Sequence, residues 1–177
     1  NAQAADIATN LELCSIPAAR IAHLVRPCLA HLDLLIVNDF EILAIAGDEI
    51  TPTAELSVQQ CLIAAHKVLA MGSMQLVISH FPGGAVAVSV EGEETLSPSV
   101  DIPAEGIRGT NGAGDAFAAG VLYGLHENWS VKEAMELGHA SAAASVRGLG
   151  TTDTVVAWQD CLALASHWGW RKPLLKK

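Results

Sequence analysis

An acid set at the end of a glycine loop stands out chemically: Gly109-Thr110-Asn111-Gly112-Ala113-Gly114-Asp115-Ala116-Phe117-Ala118-Ala119-Gly120. Gly112 and Gly114 carry no Cβ, so a ligand can come close to their backbone. Ala113 and Ala116 add almost no bulk. From Asp115 onward Phe117, Val121, Leu122 and Leu125 recur at three-to-four spacing, which predicts a helix starting at the acid. The first N–H groups of a helix lack internal partners and sit at its positive end, so they suit an anion. A carboxylate planted there would repel that anion. It is better accounted for as a group acting on a substrate beside it. This is the arrangement phosphoryl transfer needs: backbone donors hold the moving group, and Asp115 takes the proton of the attacking hydroxyl. The same residues would also serve as a tight turn whose Asp caps the helix. A Walker loop is excluded because no Gly-Lys-Ser/Thr follows, and a dinucleotide fingerprint because Phe117 stands where its third Gly belongs.

A second polar group follows the apolar run Leu32 to Val37, which suits a strand buried on both faces of a parallel sheet. Directly after it come Asn38, Asp39, Phe40 and Glu41. In open α/β sheets ligands sit beyond the carboxyl ends of strands, so polar groups bunched there invite a functional reading. Asn38 would equally cap a helix over Glu41 to Ala46, with Asp39 a cap or a solvated acid.

Gly112-Ala113-Gly114-Asp115-Ala116-Phe117-Ala118-Ala119-Gly120 resembles the second signature of the ribokinase-like (PfkB) carbohydrate kinases, Gly-Ala-Gly-Asp-x-Phe-x-x-Gly. The resemblance implies that Asp115 is the catalytic base and that Gly112, Ala113 and Gly114 form the anion hole, with Thr110 and Asn111 on the nucleotide side. Asn38 and Glu41 match the family's Asn-x-x-Glu, which serves the magnesium–phosphate network through water. Ser79 and Gly84 stand for the first and last residues of Thr-Leu-Gly-x-x-Gly, with Phe81 replacing its first Gly. His139, in His139-Ala140-Ser141-Ala142-Ala143, matches a helix that the family places beside the adenine; close helix packing explains the same small residues. ATP and Mg2+ are the implied cofactors. The family usually has Asp-Thr-x before Gly-Ala-Gly, whereas this chain has Gly109-Thr110-Asn111. That acid often helps hold a monovalent cation, so its replacement removes one carboxylate from any potassium (K+) site.

Composition narrows the partners. The 177 residues carry 19 acids against 10 bases, a formal net charge of −9, with the one basic cluster at Arg171 to Lys177. An acidic chain with no basic stripe argues against nucleic acid. Hydrophobic residues make up 51% and aromatics only 5%, so an aliphatic core is expected. Cys14, Cys28, Cys61 and Cys161 show no C-x-x-C spacing and read as small buried hydrophobes in a reducing compartment. No apolar run reaches spanning length, so no membrane role and a cytoplasmic location are expected.

The elements that must position these groups alternate. Leu11, Leu13 and Ile16 read as a short buried strand. Pro17 opens a helix with Ile21, Leu24 and Val25 on its apolar stripe, interrupted or ended by Pro27. Thr53 to Met71 reads as a helix after a turn at residues 47–52. Leu76 to Ser79, Ala85 to Val90, and a short run near Thr95 and Leu96 read as strands. Ser130 and Glu133 form a capping box for a helix to about Val146. A last amphipathic helix spans Val155 to Trp170, before a solvated basic tail. The expected class is α/β, a layered α/β/α fold with a mainly parallel sheet, ribokinase-like and lacking the N-terminal part. Residues 1–177 then form the C-terminal nucleotide-binding and catalytic portion of a kinase domain, acting on a nucleotide and a sugar. Apolar surface left where an N-terminal portion packs would favour a homo-oligomer. A nucleoside or vitamin kinase on the same fold, and a truncated non-catalytic nucleotide-binding module, are the alternatives.

Overall fold

The computed structural model describes residues 2–14, 16–49 and 57–176. Among them the chain forms six α-helices and a four-stranded sheet, an α/β fold. The helices are α1 (Ala18–Val25), α2 (Asp39–Ala46), α3 (Val58–Leu69), α4 (Ala113–His126), α5 (Val131–Ser145) and α6 (Trp158–Trp168). The strands are β1 (Leu34–Asn38), β2 (Leu76–Phe81), β3 (Gly84–Ser89) and β4 (Glu94–Pro98), in spatial order β1-β2-β3-β4. β1 and β2 are parallel, joined through α2 and α3, with Val37 opposite Ser79 and Asn38 opposite His80. Only Pro82 and Gly83 separate β2 from its neighbour β3, too few for a crossover, so this pair is a hairpin.

The chain divides into two compact units. One comprises Asn1–Phe81, Val86–Thr95 and Leu175–Lys177; the other comprises Pro82–Ala85 and Leu96–Leu174. In the first, α2 packs on β1 and β2, and α3 packs on β2. Leu35, Ile36 and Val37 are each at most 1% exposed, the two-sided burial expected of their continuous apolar run. In the second, α5 lies between α4 and α6. Its Leu137, Ala140, Ala143 and Ala144 join Cys161 and Ala165 of α6 in a core covered by Trp129, Trp158 and Trp168.

Several sequence expectations are corrected. Leu11 and Leu13 are half-buried but form no strand. The alternate amides of β1 are already taken: Leu34 donates to the Thr9 carbonyl, Ile36 to the Asn10 side chain, and Asn38 to the Glu41 carboxylate. An edge satisfied in this way offers no ladder to a further strand. Leu24 is 47% exposed, leaving Ile21 and Val25 as the buried stripe of α1. α1 ends at Val25, and a 3-10 turn over Arg26–His31 accommodates Pro27. The helix expected from Thr53 begins at Val58, capped by Ser57 and Gln60; residues 50–56 lie outside the described residues, Leu56 among them. Cys14 is exposed and Cys28 intermediate, so only Cys61 and Cys161 behave as buried hydrophobes. The basic tail is tied down rather than loose: Arg171 N–H donates to the Ser99 carbonyl, and Lys176 pairs with Glu94, which also binds His66 at 2.7 Å. Lys176 first and His66 second hold the Glu94 carboxyl below its ordinary pKa.

Candidate active site

The glycine loop leads into α4 two residues earlier than its pattern suggests. Gly112, at φ 79° and ψ 0°, is the N-cap, in the left-handed region that favours glycine. It lies close to another loop, because a Cβ built on it would sit 2.6 Å from the Thr151 carbonyl oxygen. Ala113, Gly114 and Asp115 form the first turn. Ala113 N–H donates to the Thr110 carbonyl at 3.3 Å. The N–H groups of Gly114 and Asp115 have no acceptor among the described residues. Asp115 is exposed, and its side chain makes no hydrogen bond or ion pair among the described residues. The expected helix cap is thus not formed by this acid. Thr110 and Asn111 are exposed on the same loop.

Behind this turn, α4 meets α5 at very short range. A Cβ on Gly120 would lie 2.8 Å from the Leu137 carbonyl oxygen, and one on Gly124 would lie 2.8 Å from the Ala134 Cα. His139 is 5% exposed, and its ring packs 4.9 Å from that of Phe117. The small residues of α5 are therefore accounted for by helix packing, and His139 is an interior neighbour of the Asp115 helix. Arg108, immediately before the loop, is exposed.

The other unit holds Asn38, Glu41 and Ser79 at the carboxyl ends of β1 and β2. Asn38 and Glu41 form a complete capping box on α2: the Asn38 side chain accepts from Glu41 N–H at 2.8 Å, and Asn38 N–H donates to the Glu41 carboxylate at 2.9 Å. The capping alternative raised by the sequence is thus realised. Asp39 accepts from Phe40 N–H at 2.9 Å, and burial pushes its carboxyl above the usual range. Ser79 is fully buried beside Cys61. Burial, reinforced by the Asp39 charge, raises the Cys61 thiol to about 11. His80 is half-buried by surface, yet the protein around its imidazole holds it neutral, lowering its pKa to about 4. Gly84 is glycine for a packing reason, since its Cβ would meet the Ser97 carbonyl oxygen at 2.4 Å.

A family model described as pfkB family carbohydrate kinase matches residues 1–158. The chain belongs to the PfkB family of carbohydrate kinases. It is 32% identical over 122 residues to 2-dehydro-3-deoxygluconokinase of Dickeya dadantii, a match covering 68% of this chain and 38% of that one. It is 31% identical over 123 residues to adenosine kinase of Schizosaccharomyces pombe, covering 69% of this chain and 36% of that one. The solved structure of 2-dehydro-3-deoxygluconokinase from Thermotoga maritima superposes with a TM-score of 0.77 at 18% identity, over 93% of this chain and 52% of that one. The chain thus spans about half of that structure and well under half of the curated relatives. At this identity the structural likeness establishes the fold alone.

Within the PfkB frame, the structure brings Thr110, Asn111, Gly112, Ala113, Gly114, Asp115 and His139 into one unit, and Asn38, Glu41 and Ser79 into the other. Ser79 and His139 are buried, so neither hydroxyl nor imidazole faces solvent. Among the described residues no three His, Cys, Asp or Glu side chains gather as a metal cluster, and no helix is long and apolar enough to cross a membrane. Asn38 and Glu41 offer oxygen donors of the kind magnesium takes, but each is already engaged in the cap; they fit an ion held mainly by phosphates and water. The glycine-containing loop from Arg147 to Thr152, which the resemblance places at the nucleotide and cation site, is also a support for the glycine loop, a role the sequence does not announce. Its outward mark is the run of Gly148, Gly150 and three threonines close to α5.

Proposed function

We propose that this chain is the catalytic portion of an ATP-dependent kinase that phosphorylates a hydroxyl of a sugar, a sugar acid or a nucleoside. The observation that carries this reading is Asp115: an exposed, unbonded carboxylate in the first turn of α4, beside two backbone N–H groups with no protein acceptor. The N–H groups of Gly114 and Asp115, with the helix dipole behind them, hold the transferring phosphoryl group. Asp115 accepts the proton of the attacking hydroxyl. MgATP is the phosphoryl donor, and Asn38 and Glu41 act on its metal through water. A potassium ion at the loop would have to be held without a carboxylate from Gly109. The protein works in the cytoplasm and self-associates through exposed apolar side chains. Relatives named 5-dehydro-2-deoxygluconokinase and 2-dehydro-3-deoxygluconokinase support the first kind of acceptor, and one named adenosine kinase supports the nucleoside.

The test is ATP consumption by the protein that carries this chain, against a panel of sugars, sugar acids and nucleosides. Asp115→Asn keeps size and polarity but cannot take the proton. A positioned base contributes about 10²–10⁴ in rate, so kcat should fall by that factor while nucleotide affinity stays unchanged or tightens slightly. Asp115→Glu should keep stability and lose most of the rate. Turnover within a few-fold of wild type in Asp115→Asn, with transfer rate-limiting, refutes the assignment. Nucleotide binding without turnover on any acceptor points instead to a non-catalytic nucleotide-binding module.

A further inference from the structure

Resting on the glycine-loop reading, we propose that Thr154 is a positioning residue for the anion site. Its hydroxyl clamps the loop of residues 147–153 to the end of α5, and that loop holds Gly112 in shape. The Thr154 hydroxyl lies 2.7 Å from the Ala144 carbonyl oxygen and 3.1 Å from that of Ser145, both in the last turn of α5. Those carbonyls also accept backbone N–H groups, Ala144 from Arg147 at 3.4 Å and Ser145 from Gly148 at 3.1 Å, so the hydroxyl adds a side-chain donor to the C-terminal tie. The segment that Thr154 closes then touches the glycine loop at three places. Val146 carbonyl accepts from Arg108 N–H at 2.8 Å and from Gly109 N–H at 3.3 Å. A Cβ on Gly109 would meet the Gly148 carbonyl oxygen at 3.2 Å. Thr151 presses on Gly112 so closely that a Cβ there would fall 2.6–2.8 Å from its backbone and Cβ atoms.

Gly112 is the hinge of the site. Its left-handed backbone turns the chain into α4 and so sets where the Gly114 and Asp115 amides point. Apart from backbone bonds at its two ends, such as Gly148 N–H to the Ser145 carbonyl and Val155 N–H to the Thr152 carbonyl, the bracing loop has few anchors. Leu149 is 82% exposed, and Thr151, Thr152 and Asp153 are exposed as well. A loop without buried apolar anchors keeps one geometry only through its hydrogen bonds. The Thr154 hydroxyl is therefore a side-chain fastening added to those backbone bonds, and a loosened loop would let Gly112 and the amides beyond it sample other directions. An anion site made of backbone donors depends on those donors being fixed beforehand.

The experiment compares Thr154→Val, which keeps shape without the hydroxyl, with Thr154→Ser, which keeps the hydroxyl. The readouts are the dissociation constant of magnesium-ADP by calorimetry, the amide resonances of Gly112 and Gly114, and the melting temperature. Thr154→Val should weaken ADP about three- to tenfold, the factor one net hydrogen bond represents, and shift or broaden both glycine resonances. Thr154→Ser should bind within about twofold of wild type by the same argument. Wild-type affinity in folded Thr154→Val, even with a lower melting temperature, overturns the proposal by reducing Thr154 to a structural tie. If Thr154→Val does not fold, Thr154→Ala removes the same hydroxyl with less bulk. The same weakening is expected there, and unchanged affinity overturns the proposal. Failure of the underlying reading looks different: wild type itself would bind no ADP, or Gly114→Val would bind it unchanged.

Discussion

Replacing Gly120 by alanine should destabilise the protein, although helix propensity alone says the reverse. Alanine is favoured over glycine in a helix interior by about 1 kcal/mol. At Gly120, however, the new Cβ would lie 2.8 Å from the Leu137 carbonyl oxygen, 2.8 Å from the Ser141 hydroxyl and 2.9 Å from the Gly138 Cα. Carbon–carbon contact is optimal near about 3.5–4.0 Å, so the shortfall approaches an ångström. Ser141 can rotate away, but the Leu137 carbonyl and the Gly138 Cα are backbone. Relief requires α4 and α5 to move apart, which loosens the contacts of Phe117 and Val121 with Gly138. Overpacking of this kind typically costs about 1–3 kcal/mol. Set against the propensity gain, the net loss should be up to about 2 kcal/mol.

The assay is urea unfolding, with Ala119→Gly as the comparison on the same helix. Ala119 is exposed, so that change should lose only the propensity term of about 1 kcal/mol. In a chain of this size a loss of 1 kcal/mol lowers Tm by about 2–4 °C. A midpoint for Gly120→Ala at or above wild type, with unchanged m, would refute the reasoning: it would mean the interface yields without cost.

Two further outcomes follow. His80 should make the fold acid-sensitive: its pKa is about 4 when folded against an ordinary 6.5, so the unfolded chain takes up the proton first. Its contribution is complete above pH 6.5 and is lost as pH falls from there toward 4. At about 1.4 kcal/mol per pKa unit, about 2 kcal/mol at most is lost by pH 5. Unfolding free energies at pH 7.5 and 5 should therefore converge in His80→Gln relative to wild type, and an equal acid loss in both would remove His80 as the cause. Glu41→Gln keeps an oxygen to accept from Asn38 N–H, so α2 should stay capped, while the magnesium needed for half-maximal ADP binding rises several-fold; a titration that does not move leaves Asn38 and Glu41 as a helix cap alone.

What the sequence made legible was whatever depends on local pattern. Leu32 to Val37 announced a two-sided buried strand, and Leu34–Asn38 is one. Ser130 and Glu133 announced a capping box, and α5 begins with it. Contacts between distant segments were not legible. The strand expected at Leu11 to Ile16 had the right residues, but strand formation needs a partner edge, and Thr9, Asn10 and Glu41 had already satisfied that edge. The tie of Lys176 to Glu94 and the clamp from Thr154 to α5 join residues whose pairing no local periodicity encodes. The start of α4 was misplaced because glycine hides its conformation: no local pattern tells that Gly112 takes the left-handed geometry or that it lies against Thr151.

The same distinction sorts the signature residues themselves. Ala116, Phe117 and Ala118 are buried, and Gly120 lies against the backbone of α5. Any protein using this helix pair would favour such residues, so they speak for the fold. Gly112 is fixed by its left-handed geometry and by Thr151, again a demand of the fold. Asp115 has no such demand on it. An acid in the first turn gains about 0.3–1 kcal/mol from the helix dipole, and glutamate would gain as much. It caps nothing and pairs with nothing among the described residues. A role in stability therefore accepts either acid, whereas a base that must reach one hydroxyl from a rigid turn accepts only the shorter one. Asp115→Glu separates the two: preserved melting with lost turnover belongs to a base, and preserved melting with preserved turnover belongs to a helix-end charge.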